Sequence, residues 1–155
     1  MNFKNLLTAL LFVPTIASAN TCYTKSDALI KDLYKTFPVD GSNTTQDASP
    51  ALLNQFFSKK LSNLIIKDEK CAEKIQGLCN IEFNILTAAQ DDPDQNKYKI
   101  LQSAKTLVTV RLEYDHIPKF LDFKISSNSK CLLIEDIEYV DDQLSLLKIL
   151  NRKAP

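Results

Sequence analysis

Between Thr106 and Tyr139 apolar and polar residues alternate so regularly that a half-buried sheet is the arrangement that sorts them. In Thr106–Tyr114, Val108, Val110, Leu112 and Tyr114 fall on one face and Thr109, Arg111 and Glu113 on the other. Phe120–Ile125 repeats the pattern, with Leu121, Phe123 and Ile125 opposed to Asp122 and Lys124, and Cys131–Tyr139 forms a third run. The stretch Ser126–Lys130 between the second and third runs consists of turn formers, in the number an antiparallel hairpin connection needs. One apolar sheet face requires a cover. Helical patterns lie mostly upstream, so the expected class is α+β, with four to five antiparallel strands packed on three to four helices.

The helical patterns are specific. Ser26 is placed to cap a helix with Asp27 in its first turn and Leu29, Ile30, Leu33, Tyr34 and Phe37 on one face, ended by Pro38. Ser49 and Pro50 open a second helix, whose broad apolar face runs through Leu52, Leu53, Phe56, Phe57, Leu61, Leu64 and Ile65. Phe56 and Phe57 are read as core rather than as a ligand box. A short helix is expected over Asp68–Gln76, stopped by Gly77. Cys79–Thr87 fits a short strand or an extended connection, and Tyr98–Gln102 a further strand, with Ser103–Lys105 as turn or bulge. Asp141 or Asp142 caps a closing helix through Leu144, Leu147, Ile149 and Leu150.

At the N-terminus, Lys4, the apolar run Leu6–Val13 and the small residues Ala17-Ser18-Ala19 read as a secretory signal peptide over residues 1–19, followed by one domain over residues 20–155. The apolar run is far short of the roughly 20 residues that span a bilayer. Residues Ala19-Asn20-Thr21 before Cys22 lack the lipoprotein processing pattern. The expected product is therefore periplasmic or secreted, with no transmembrane anchor after cleavage. Removing residues 1–19 leaves 18 basic and 19 acidic residues, without a basic stripe, which points away from nucleic acid. Asn43-Thr44-Thr45 matches a glycosylation acceptor, a pattern with meaning mainly in a eukaryotic host.

All four cysteines, Cys22, Cys71, Cys79 and Cys131, lie in the exported part, and an even count there predicts two disulfides. Three pairings are open. The short spacing of Cys71 and Cys79 around Gly77 allows a local staple at a helix end, which would leave Cys22 with Cys131. Metal chemistry is disfavoured by that spacing and by His116 being the sole imidazole, and no cofactor is expected. The acidic stretch Gln90–Gln95, with Asp91, Asp92 and Asp94, lacks the Gly and the distal Glu of a helix-loop-helix calcium site and reads as a turn. It is also the candidate interaction loop. With Gly41 and Gly77 the only glycines, no Gly-rich phosphate loop can form, and no serine sits in a nucleophile elbow.

The run Phe83-Asn84-Ile85-Leu86-Thr87-Ala88-Ala89-Gln90-Asp91, followed by Leu132–Ile137 and the closing stretch Leu144–Leu150, resembles an exported bacterial family, domain of unknown function 3828. The resemblance spans most of residues 26–150. That family's layout is similar to the nuclear transport factor 2-like superfamily, which implies a strongly bent, cone-like sheet folded around helices with a pocket at its open end. The family pattern has Asp-Pro where this chain has Asn84-Ile85, and often Trp where it has Leu132, so no ligand site is carried over. Some enzymes of that superfamily move protons with an Asp or a His-Asp pair; the counterparts to weigh here are Asp136 and His116. His116 shows no partner in the sequence, and Asp136 is more simply an outward or backbone-bonding residue. The expected function is thus a non-catalytic periplasmic binding or interaction protein for an unknown protein or small ligand, with an immunity protein against a secreted toxin as one form. A small proton-transfer enzyme is the alternative.

Overall fold

Five strands and four helices carry out this plan in the structure, a computed structural model that describes residues 21–90, 97–114, 117–126 and 130–153. In chain order they are α1 (Ser26–Thr36), α2 (Pro50–Phe56), α3 (Lys59–Ile75), β1 (Tyr98–Ser103), β2 (Leu107–Tyr114), β3 (Ile117–Ile125), β4 (Ile134–Tyr139), β5 (Leu144–Ser145) and α4 (Leu146–Leu150). The strands form one antiparallel meander in the order β1-β2-β3-β4-β5. The class is α+β, as the patterning requires. The signal peptide expected over residues 1–19, the acidic residues Asp91, Asp92 and Asp94, and His116 lie outside the described residues.

The alternation sorts the sheet. Val108, Val110 and Leu112 of β2, Leu121, Phe123 and Ile125 of β3, and Ile134, Ile137 and Tyr139 of β4 are all buried in one core. Their partners on the other face form a polar ladder, in which the Thr109 hydroxyl donates to Asp122 Oδ1 at 2.6 Å and Lys124 pairs with Glu138 at 3.0 Å. The third run forms β4, which begins at Ile134, later than the Cys131 expected from pattern. The pairing shifts there, Lys124 facing Asp136 while Ile125 faces Ile134, so a bulge at exposed Glu135 keeps Ile134 and Ile137 both inward. The second run, read from Phe120, begins earlier in the structure: Ile117 and Pro118 open β3, where Pro118 faces Glu113.

The helices bury the faces predicted for them, but their ends differ. Ser26 is not a cap: Lys25 holds that position, and the Ser26 hydroxyl, inside α1, bonds the Ser103 hydroxyl at 3.0 Å and the Ala104 carbonyl at 2.8 Å, fastening α1 to the end of β1. The helix opened by Ser49 stops at Phe56. Phe57 turns extended, makes a parallel bridge to Ile134, and leaves Ser58 to donate its N–H to the Ile134 carbonyl and to cap α3 through its hydroxyl. Neighbouring side chains on an unbroken helix diverge by about 100°; the break lets Phe56 and Phe57 both enter the core. Beyond it, the expected short helix over Asp68–Gln76 is the continuation of α3. Its left-handed terminal residue is Gln76, at φ 53°, rather than Gly77, whose N–H closes on the Ala72 carbonyl. Ser145, rather than Asp141 or Asp142, caps α4, and Asp141 accepts from the Phe120 N–H instead.

Cys22 is bonded to Cys131 and Cys71 to Cys79. The first joins the chain ahead of α1 to the β3–β4 connection, beside the Leu132 N–H donating to the Tyr23 carbonyl at 2.8 Å. The second closes the end of α3 against the segment after it. Two disulfides suit an oxidising, extracytoplasmic setting. Among the described residues no helix is long and apolar enough to cross a membrane.

Candidate functional site

Leu78–Gln90, which contains most of the run that carries the family resemblance, has no regular strand. Two Asp68 oxygens accept the Asn80 and Ile81 N–H groups at 2.9 and 3.0 Å, fixing the segment's entry beside the Cys71–Cys79 bond. Asn84 then organises a tight turn. Its N–H donates to the Ala89 carbonyl, its carbonyl accepts from Thr87 and Ala88, and its side-chain oxygen accepts the Leu86 N–H at 3.0 Å. Ala88 is held at φ 54°, a conformation that L residues with a Cβ seldom take.

The turn's carbonyls are met by side chains from distant parts of the chain. The Tyr139 hydroxyl donates to Ile85 O at 3.1 Å, the Tyr34 hydroxyl to Leu86 O at 2.9 Å, Lys119 Nζ to Ala88 O at 2.7 Å, and Gln46 Nε2 to Phe83 O at 3.3 Å. The Phe83 ring stands edge-on to Tyr139, centroids 5.2 Å apart. Burial raises the Tyr34 phenol far above its ordinary pKa. Tyr139 moves the same way, through burial first and then through the nearby Asp136 carboxylate and Tyr34 phenol. Both phenols therefore remain protonated donors at neutral pH rather than proton shuttles.

Where this turn meets β3, β4 and β5 there is a cleft of about 440 Å³, lined by Phe83, Ala88, Lys119, Tyr139, Leu144 and Ile149 among others. A second depression of about 320 Å³ shares Ala88, Lys119, Tyr139 and Asp142 with it and reaches Phe120 and Asp141. Together they offer an apolar and aromatic wall, one ammonium and two carboxylates. Comparison with family models, with curated proteins and with solved structures finds no match for this chain.

Of the residues singled out from sequence, Asp136 does not line this cleft. Its Oδ1 accepts the Ile137 N–H and the Leu147 N–H, both at 2.9 Å, tying α4 to β4. All four cysteines are consumed in disulfides. Among the described residues no three His, Cys, Asp or Glu side chains gather as metal ligands would. Lys119, Tyr34, Phe83 and Asn84 were not foreseen as a group. Tyr139 sits at an inward position of its strand, so a buried hydroxyl needing a partner was the one signal available.

Proposed function

We propose that this chain acts by binding rather than by turnover, as an exported interaction module that uses the cleft beneath the Asn84–Ala89 turn. The observation that supports this reading is that Lys119 and Tyr139 of the cleft, and Asp141 of the depression beside it, already bond the protein's own backbone, Lys119 to Ala88 O, Tyr139 to Ile85 O and Asp141 to the Phe120 N–H; of the charged residues lining the two depressions, this leaves Asp142 alone unengaged among the described residues. A proton-transfer centre needs a group left free to face substrate with a second group in reach. Phe83, Leu144 and Ile149 offer apolar contact beside charges at the rim, the composition of a recognition surface. In the finer reading the five-stranded sheet is bent into the cone of the nuclear transport factor 2-like superfamily, with this cleft at its open end. The biological form that fits an exported chain stapled by two disulfides is an immunity protein that plugs a secreted toxin.

The test pairs turnover with inhibition. Purified protein is assayed for hydrolysis and isomerisation, and separately for inhibition of toxins secreted by the same cells. Inhibition weakened by Lys119→Glu, with the fold retained by circular dichroism, is the expected result. Activity abolished by Asp136→Asn or His116→Ala in folded protein would overturn the reading in favour of an enzyme.

A further inference from the structure

The two edges of the sheet are finished differently. β5 has two residues and runs directly into α4. β1 has six residues, and among the described residues its one partner strand is β2. A strand at an edge presents backbone N–H and C=O groups that an extended chain can complete. All six β1 residues, with Asp27 and Lys31 of α1, line an open groove of about 780 Å³. The groove therefore has the backbone edge on one side and a helix wall on the other.

The side chains there specify what could fill it. Lys97, Lys99 and Lys105, in and beside β1, are exposed and form no ion pair among the described residues, whereas Lys31 is paired with Asp27 and Arg111 with Glu113. Pairing shifts between Ile100 and Gln102, and at this bulge Leu101 stands 48% exposed, an apolar side chain amid the lysines. A second copy is a poor occupant. Antiparallel pairing about an axis between Ile100 and Leu101 would put Lys97 opposite Ala104, next to Lys105 of the other copy, and so gather the lysines of both along one seam.

From this geometry we infer that the β1 edge is a docking site for an extended acidic segment of a partner protein, which adds as a sixth strand with carboxylates toward Lys97, Lys99 and Lys105 and an apolar residue against Leu101. The site lies at the other edge of the sheet from the cleft and does not depend on it.

The probes are synthetic, end-capped peptides: one alternating Glu with Val, one alternating Lys with Val, and the Glu peptide N-methylated at alternate residues, which keeps its charge and removes ladder donors. Binding to the full chain is titrated and amide exchange followed. The Glu peptide is expected to bind and to slow exchange within Tyr98–Ser103. The Lys peptide and the N-methylated peptide are expected not to bind. Lys97→Glu/Lys99→Glu/Lys105→Glu should weaken the Glu peptide about tenfold. Equal binding of the N-methylated peptide would reduce the effect to charge alone and overturn strand addition. So would protection that falls outside β1, an absence of binding by the Glu peptide, or protection of β1 that grows with protein concentration in the absence of peptide, the signature of a second copy.

Discussion

The β2–β3 pair and the Leu78–Gln90 segment contribute to the same core, yet their backbones are satisfied in opposite ways. From Leu107↔Lys124 to Tyr114↔Ile117 the two strands pair residue by residue, each supplying the other's hydrogen bonds. Leu78–Gln90 buries Ile81, Ile85 and Leu86 without such a ladder and borrows its partners: Asp68 for two N–H groups, Tyr139, Tyr34, Lys119 and Gln46 for four carbonyls. A buried backbone group must be paired from somewhere. A ladder tolerates any side chains that alternate correctly, whereas a borrowed partner must be one residue type at one place. Sequence changes should therefore act globally in the pair and locally in the segment.

The largest effect tests how each region is tied to the rest of the chain. The Cys22–Cys131 bond spans 109 positions and the Cys71–Cys79 bond 8. On the loop-entropy account, Cys22→Ala/Cys131→Ala should cost about 5 kcal/mol and Cys71→Ala/Cys79→Ala about 2.5 kcal/mol. Urea midpoints measured without reductant compare the two. Equal losses would mean that loop length does not set the difference. Within the sheet, Phe123→Ala empties a fully buried site against Tyr34 and should cost about 4 kcal/mol, read as a lower urea midpoint shared by every probe of unfolding.

In the segment, Tyr34→Phe keeps the ring and removes the donor to Leu86 O, which should cost about 1–2 kcal/mol. Hydrogen exchange should then quicken first at Leu86 and Thr87, while the β2 and β3 amides follow the global change. Faster exchange spread evenly over the sheet would erase the distinction between the two regions.

The same contrast explains what could be read from the chain. The inward positions of β2 and β3 were legible because alternation is local, and so were the buried face of α1 and the Ser49 cap of α2. Phe57 lies in the core as expected, but the helix whose pattern runs unbroken through it to Leu61 ends at Phe56, because of a bridge from Phe57 to Ile134, far along the chain. The cleft was illegible for the same reason. Tyr34 and Leu86 are 52 positions apart, Tyr139 and Ile85 54, and Lys119 and Ala88 31, and no periodicity links them. Ser26 shows the limit on a smaller scale, since a residue suited to capping was drawn instead to Ser103 and Ala104.

The smallest effect separates a buried phenol from the hydrogen bond it makes. Tyr34 keeps its proton in the folded protein because burial raises its pKa well above the ordinary value of 10.0, while in the unfolded chain it ionises near that value. Below pH 10 both states bind the proton and pH has no effect through this group. Above it the unfolded state loses the proton and the folded state retains it, so stability falls as pH rises, by about 1.4 kcal/mol at pH 11 from Tyr34 alone. Phenylalanine cannot ionise. The deficit of Tyr34→Phe relative to the unsubstituted protein, measured by urea unfolding, should therefore narrow by about 1.4 kcal/mol between pH 8 and pH 11. Tyr139→Phe should behave alike, since burial moves that phenol in the same direction. Leu112→Ala in β2, which removes no titrating group, should show a deficit that stays constant over the same range. A Tyr34→Phe deficit that did not narrow would mean that the turn over the cleft opens to solvent before the sheet does, placing Leu78–Gln90 in a separate and weaker cooperative unit.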